Sequence, residues 1–390
     1  MSWMWSKSMP PEMNTGAAKE GLARVPALDL LRLIAVLAVL LSHYGFSVLI
    51  APGVGDVVFP GIEAVAKYGY LGVKAFFIIS GFVIAYSAEG RTSTEFAIAR
   101  VARIYPGFLC CMTLTFLATL AFGAPYFEAT ATQWAANLFI AASLLKQQYM
   151  DSAYWSLVSE VVFYGWVYLM MVAGIVRRRI GMIVLIWLSF SVINETMIKS
   201  ILIQKIFLTD SSGFFATGLL LYEFYVGRRN VALQCLLAYA ASCAVFQAVD
   251  NLHWWREHFV VVPDEWVVAA ICLAAIVTVM QATRIRRLPL PSGVIIAIGG
   301  ATYPLYLLHQ NIGYMAFKQI GPVAHPVVVI TVVVLALMTA SWAIWRYVER
   351  PGQRLLKLAL NKMVSLVGRA SMYRQLDPAS LHSPRNQRVL

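Results

Sequence analysis

The chain has 390 residues, 60% of them hydrophobic and only 13% charged, with a mean hydropathy of +0.70. Soluble domains carry roughly 25% charged residues, so this composition excludes a soluble globular protein and points to a polytopic membrane protein. The net charge of +12 would suit a nucleic-acid binder, but 23 of the 31 Lys and Arg residues fall in segments predicted to be cytoplasmic and six on the opposite side. That asymmetry places both termini in the cytoplasm and leaves little basic excess to imply a polyanionic partner.

Apolar runs near the roughly 20 residues that cross a bilayer as helix occupy 28–50, 70–87, 104–123, 157–176, 180–198, 210–227, 230–250, 265–283, 294–318 and 326–347. They predict an all-α bundle of about ten transmembrane helices. Residues 1–25 form a cytoplasmic tail whose Pro10, Pro11 and scattered charges do not read as a cleavable signal peptide. Residues 26–352 make one membrane domain, and 353–390 an amphipathic helix and a disordered tail. Cys110, Cys111, Cys235, Cys243 and Cys272 all fall in spans without Cys-x-x-Cys spacing, so neither a metal site nor a disulfide framework is predicted.

The first span carries Asp29, Arg32 and His43 in otherwise lipid-grade sequence. Ionisable groups in a span are costly and normally face protein or a water-filled cavity, which makes them functional candidates. Arg32 and His43 are eleven residues apart, hence about 20° from alignment and about 16 Å apart along a helix. Asp29 is placed to pair with Arg32 at i, i+3. His43 is left deeper, either as a functional group or as a histidine bonded to another helix.

In the second span Gly69, Gly72 and Gly81 let neighbouring backbones approach, and Ser80 sits near mid-membrane. A serine there commonly bonds its own i−4 carbonyl; a nucleophile is the other reading. The following segment, Arg100-Val-Ala-Arg103, sets two guanidiniums on one side of a turn at the membrane surface, suited to phosphate oxygens. An ordinary positive-inside flank would look the same.

An interfacial helix is predicted around Thr132 to Leu145. Tyr154 and Trp155 then mark the interface, with Ser156 beside them and Glu160 about 7 Å into the fourth span. That depth lets Glu160 meet His43, which lies about 10 Å below the same surface. His253, Trp254, Trp255 and His258 read as interfacial anchors, with contact to an acceptor as the alternative. In the ninth span Pro304 should kink the helix and free backbone carbonyls; Tyr303 precedes it and His309 falls in the outer half. Arg354 to Arg369 reads as an amphipathic helix on the inner membrane face, and the last twenty residues as disordered.

Five segments in this order resemble the acyltransferase-3 family of integral membrane acyltransferases. They are Arg32 with His43; Gly72-Val-x-x-Phe76-Phe77-x-x-Ser80-Gly81-Phe82; Arg100-x-x-Arg103-Ile-x-Pro106; Tyr154-Trp155-Ser156-Leu157-x-x-Glu160-x-x-Phe163-Tyr164; and Tyr303-Pro304-Leu-Tyr306-Leu-Leu-His309. The resemblance implies that Arg32 and His43 are the family's essential pair. Arg100 and Arg103 resemble its acyl-donor motif, and Ser156 and Glu160 its serine and glutamate motif. Lys74 departs from the acidic or neutral residue often found there, which bears on acceptor choice or on the charge around Glu160.

The family's activity implies acyl-CoA as co-substrate without a bound cofactor, a glycan or lipid-linked acceptor, and a bacterial cytoplasmic membrane as the location. Many relatives carry a fused extracytoplasmic domain; its lack here implies direct transfer or a separate partner protein. In the resulting scheme the donor's phosphates bind Arg100 and Arg103 while its thioester reaches His43. His43 then acts either as general base, oriented by Glu160, or through an acyl-histidine. The rival reading is a secondary transporter using Arg, His and Glu. It predicts internal repeats and paired broken helices, and the two halves show no convincing duplication.

Overall fold

The computed structural model describes residues 25–47, 61–258, 261–320 and 325–376. The predicted amino-terminal tail, most of the first outer loop and the end of the carboxy-terminal tail lie outside the described residues. Among those described the chain is helical throughout, with no strand.

The helices start where the sequence offers a partner for their free N–H groups. α1 (Pro26–Gly45) opens on a proline, which has no N–H to leave unpaired. A short α2 (Glu63–Ala66) and a 3₁₀ turn lead into α3 (Gly72–Ala88). α4 (Ser93–Phe122) begins with a complete capping box between Thr92 and Glu95. α5 (Ala131–Asn137) is the predicted interfacial helix, shortened: a left-handed Ile140 separates it from the 3₁₀ turn Ala142–Leu145. There follow α6 (Tyr154–Val172), α7 (Val176–Ile193), a π turn at Asn194–Ile198, α8 (Ile201–Phe207) and α9 (Ser212–Tyr225). α10 (Val231–Asp250), α11 (Leu252–His258), α12 (Glu265–Ala282) and α13 (Ser292–Ile320) come next. α14 (Pro326–Ile344) continues through a second π turn, Trp345–Glu349, into α15 (Arg350–Leu376). The boundary drawn at residue 352 therefore falls inside a continuous helical run, which also takes in the start of the stretch predicted to be disordered.

Nine helices among the described residues are long and apolar enough to cross a membrane. The predicted span 210–227 differs: α9 has only 14 residues, about 21 Å of helix. It is buried from Ser212 through Glu223, so protein rather than lipid meets it, and the bilayer's length requirement does not apply. Its start is fixed to the start of α3, where Lys74 Nζ donates to Ser211 at 3.3 Å. Its last turn reaches the other end of α3, where Tyr222 donates to Glu89. α9 thus runs parallel to α3 over the same depth, and Gly81 and Gly218 allow the contact: a Cβ on Gly218 would lie 2.8 Å from the Gly81 Cα. The predicted tenth span is thus a short helix packed among its neighbours rather than one of the nine long apolar ones.

The interior forms two apolar clusters, one of α3, α9, α10 and α12 and the other of α1, α4, α13 and α14. Val73 and Phe77 of the first and Ile104 and Leu157 of the second face one cavity at the seam between them.

Candidate active site

The seam cavity has a volume of about 250 Å³ and is lined by Arg32, Ser80, Arg100, Arg103, Ser156, Glu160 and Tyr303, seven of the ten residues singled out above. Arg32 reaches it from α1 and is held by Asp29 at 3.1 Å, the i, i+3 pair the spacing predicts. Asp29 is buried behind it.

Arg100 and Arg103 both project from α4 into this cavity, on one side of a turn as their spacing predicts. The capping box starts α4 at Ser93, two turns before Arg100, and both arginines are partly buried. Arg100 lies over the rings of Phe96 and Tyr164, 5.8 Å from each centroid, and its buried Nε has no hydrogen-bond partner among the described residues. Arg103 is ion-paired with Glu349 of the second π turn and lies over Tyr303, 5.3 Å from the centroid. Tyr303 in turn donates to the Ile104 carbonyl. Glu349 is fully buried and also accepts from Gln353 at 2.8 Å.

The comparable depth of Glu160 and His43 allows them to meet, but the hydrogen bonds of Glu160 go to Ser80 and Tyr164. Its Oε1 accepts from Ser80 at 2.6 Å and from Tyr164 at 2.5 Å, which neutralises part of the cost of a carboxylate inside a span. Ser80 is accordingly a donor to a carboxylate, not a serine bonded to its own helix. Lys74 does not face Glu160 either, but packs between Phe77, Phe214 and Ser211.

The two histidines lie just beyond the cavity. Tyr306 forms its far wall, with its hydroxyl 2.6 Å from Ser156 and 3.2 Å from the Ala153 carbonyl. Behind Tyr306, at 5.4 Å between centroids, is His309, and the His309 and His43 rings are 5.0 Å apart. His309 Nδ1 is 2.6 Å from the Tyr306 carbonyl. A carbonyl only accepts, so in the neutral ring Nδ1 carries the proton and Nε2 presents a lone pair. That Nε2 is buried and has no partner among the described residues. His43 Nδ1 is 3.2 Å from the Tyr314 hydroxyl.

α13 holds this pair in place because side chains take up the backbone groups past Pro304. Tyr154 donates to the Leu307 carbonyl, Tyr44 to the His309 carbonyl at 2.5 Å, and Asp151 accepts from the Asn311 N–H at 2.9 Å. A second oxygen of Asp151 accepts from the Ala153 N–H. Asp151 lies in the loop before α6, and burial pushes its carboxyl up to about 6, against the two N–H donors that pull it down.

A family model described as an acyltransferase domain matches residues 25–346. The chain belongs to the acyltransferase-3 family. It is a multi-pass membrane acyltransferase, and the matched residues include every side chain of the cavity. No match was found among curated proteins or among solved structures.

Sequence reasoning quoted Tyr164 and Tyr306 in their motifs without giving them a role, and overlooked Tyr314, Asp151 and Glu349, which complete the candidate site. Glu349 carried a readable signal, since an acid in the last turn of an apolar span needs a cation, and Arg103 was already in view. Asp151 carried none, because its partners are backbone groups 2 and 160 residues away in sequence.

Proposed function

We propose that this acyltransferase moves an acyl group, acetyl in the simplest case, from cytoplasmic acyl-CoA to a hydroxyl of a glycan or glycolipid acceptor. The observation that carries the reading is the convergence of Arg32, Arg100 and Arg103 from α1 and α4 on one cavity lined also by Tyr306, whose ring leads through His309 to His43. At about 250 Å³ the cavity is smaller than the roughly 300 Å³ at which ligand pockets usually begin. It suits the extended thioester arm of the donor, with the nucleotide held outside at the arginine-rich mouth.

The arginines have distinct tasks in this scheme. Arg32 and Arg103 are already paired with carboxylates, so they serve as fixed N–H donors to the arm and its phosphates. Arg100 retains an unpartnered buried donor for the incoming acyl-CoA. His43 removes the proton from the acceptor hydroxyl, the oxygen attacks the thioester carbonyl, the carbon–sulfur bond breaks, and the thiolate of CoA leaves and takes up the proton. His309 supports His43 by ring contact and by its fixed tautomer. Tyr306 stands between arm and histidine and must shift for them to meet.

His43→Ala is expected to abolish movement of label from radiolabelled acetyl-CoA to acceptor in membranes, with protein level and membrane insertion unchanged. Product retained in that variant rejects the assignment.

A further inference from the structure

At the end of the bundle opposite the arginines, the π turn after α7 together with α8, α10, α11 and the start of α12 lines a groove of about 700 Å³. It shares no residue with the arginine cavity. Its rim is built on unusual backbone: α7 ends in the π turn Asn194–Ile198, followed by left-handed Lys199 (φ 54°) and, after α8, left-handed Leu208 (φ 53°). A left-handed non-glycine residue is strained, and such strain, like a π turn, concentrates where a chain binds something.

A buried amide network holds that backbone. Asn194 donates to Thr209 at 2.9 Å and to Glu195 at 3.0 Å, and accepts from the Ser200 N–H. Gln247 donates to the Thr209 carbonyl and the Ser212 hydroxyl and accepts from the Gly213 N–H. Glu195 is thereby fixed at the groove, with Gln204 donating to its second oxygen at 3.0 Å. Nothing in the acyl-transfer scheme uses this construction.

The lining indicates what fits. Glu195, Asp210, Asp250 and Glu265 face Lys199, Lys205 and Arg256, and Arg256 and Glu265 are paired with each other. Acids and bases nearly balance, which disfavours both a polyanion and a cation. What remains is a dense mixture of donors and acceptors beside the half-exposed face of Trp254. A sugar ring matches it, having hydroxyls around its edge and an apolar face of C–H bonds. Ile201 lines the groove, and Met197 and Leu202 beside it in sequence are exposed apolar side chains. Trp255, next to Trp254, is buried and packs on Phe46 at 5.5 Å, three residues past His43 on the end of α1.

We propose that this groove is a saccharide subsite, holding the glycan of the acceptor at the end of the bundle where His43 lies. The proposal rests on the acyl-transfer reading for its purpose but not for its test. The full chain in phospholipid nanodiscs would be passed over immobilised neutral and acidic polysaccharides and over glycolipid-bearing vesicles. Retention on at least one surface is expected, weakened by about tenfold in Trp254→Ala and in Glu195→Gln. Trp266→Ala, which removes an exposed tryptophan outside the groove, should leave retention unchanged. Retention on polysaccharide alone would identify a chain glycan, and on vesicles alone a glycolipid headgroup; either supports the subsite. No retention by the unaltered protein, or equal retention by Trp254→Ala, overturns it. Label transfer from acetyl-CoA is scored separately: binding without transfer would defeat the proposed function and leave the subsite standing, and transfer without binding the reverse.

Discussion

Replacing Arg103 separates two roles that one side chain combines. Its guanidinium pairs with Glu349, whose side chain is 0% exposed, while the arginine keeps 38% of its own surface open toward the cavity. The energetic consequence therefore falls on the carboxylate, left in Arg103→Ala with the Gln353 amide as its hydrogen-bond donor. Breaking a buried pair by removing one partner costs about 3–5 kcal/mol. The partial exposure of Arg103 argues for the lower end, about 3 kcal/mol, or roughly a 100-fold shift in the folding equilibrium. Arg103→Ala should lower both the apparent Tm in detergent and acyl transfer. Adding Glu349→Gln removes the stranded charge and leaves a side chain that still accepts from Gln353. The double variant should regain most of the Tm and none of the transfer. Thermal denaturation followed by tryptophan fluorescence, beside transfer of label from acyl-CoA, reads the two effects separately. Recovery of transfer in the double variant would show that Arg103 serves only the fold; an unchanged Tm in Arg103→Ala would remove the buried ion pair from the account.

Asp151 gives the stability a pH dependence outside the spans. Its folded-state carboxyl, near 6, lies above its ordinary 3.8, so its stabilising contribution is complete below 3.8 and is lost as pH rises through about 6. Tm measured from pH 4 to 8 should fall across that window, and Asp151→Asn should flatten the slope. Ser80→Ala and Tyr164→Phe each remove one donor to Glu160 and should reduce transfer by about tenfold to hundredfold without abolishing it. Complete loss in Ser80→Ala alone would indicate a covalent role for the hydroxyl. Gly218→Val would drive a Cβ to 2.7 Å from the Phe82 backbone nitrogen and should cost about 1–3 kcal/mol by forcing α3 and α9 apart. The yield of folded protein in detergent measures it against Gly165→Ala, where a Cβ meets nothing within 4 Å.

Much of the architecture was legible because bilayer crossing imposes a length and a polarity that a window of sequence reveals. The exception has the same cause: α9 reads as a span by composition, yet its 14 residues need only match α3, since burial exempts it from meeting lipid. The Asp29–Arg32 pair was likewise legible because it is local to one helix. Depth counted along each helix puts Glu160 and His43 at comparable levels. Depth says nothing about azimuth, however, and the packing of α6 turns Glu160 toward Ser80 and Tyr164.

The sequence by itself determined that this is an all-helical membrane acyltransferase, with Arg32 and Glu160 among its costly intramembrane groups and Arg100 and Arg103 paired on one side of a turn. Composition, span length and motif order are properties of the chain and survive any arrangement of its helices. Only the tertiary structure decided which of those groups meet: that three arginines share a cavity, that Tyr306 separates it from His43 and His309, and that Glu349 answers Arg103 across 246 residues. The physical reason is that an unpaired charge in a low-dielectric interior demands a partner without specifying one, and the choice is made by how the helices pack.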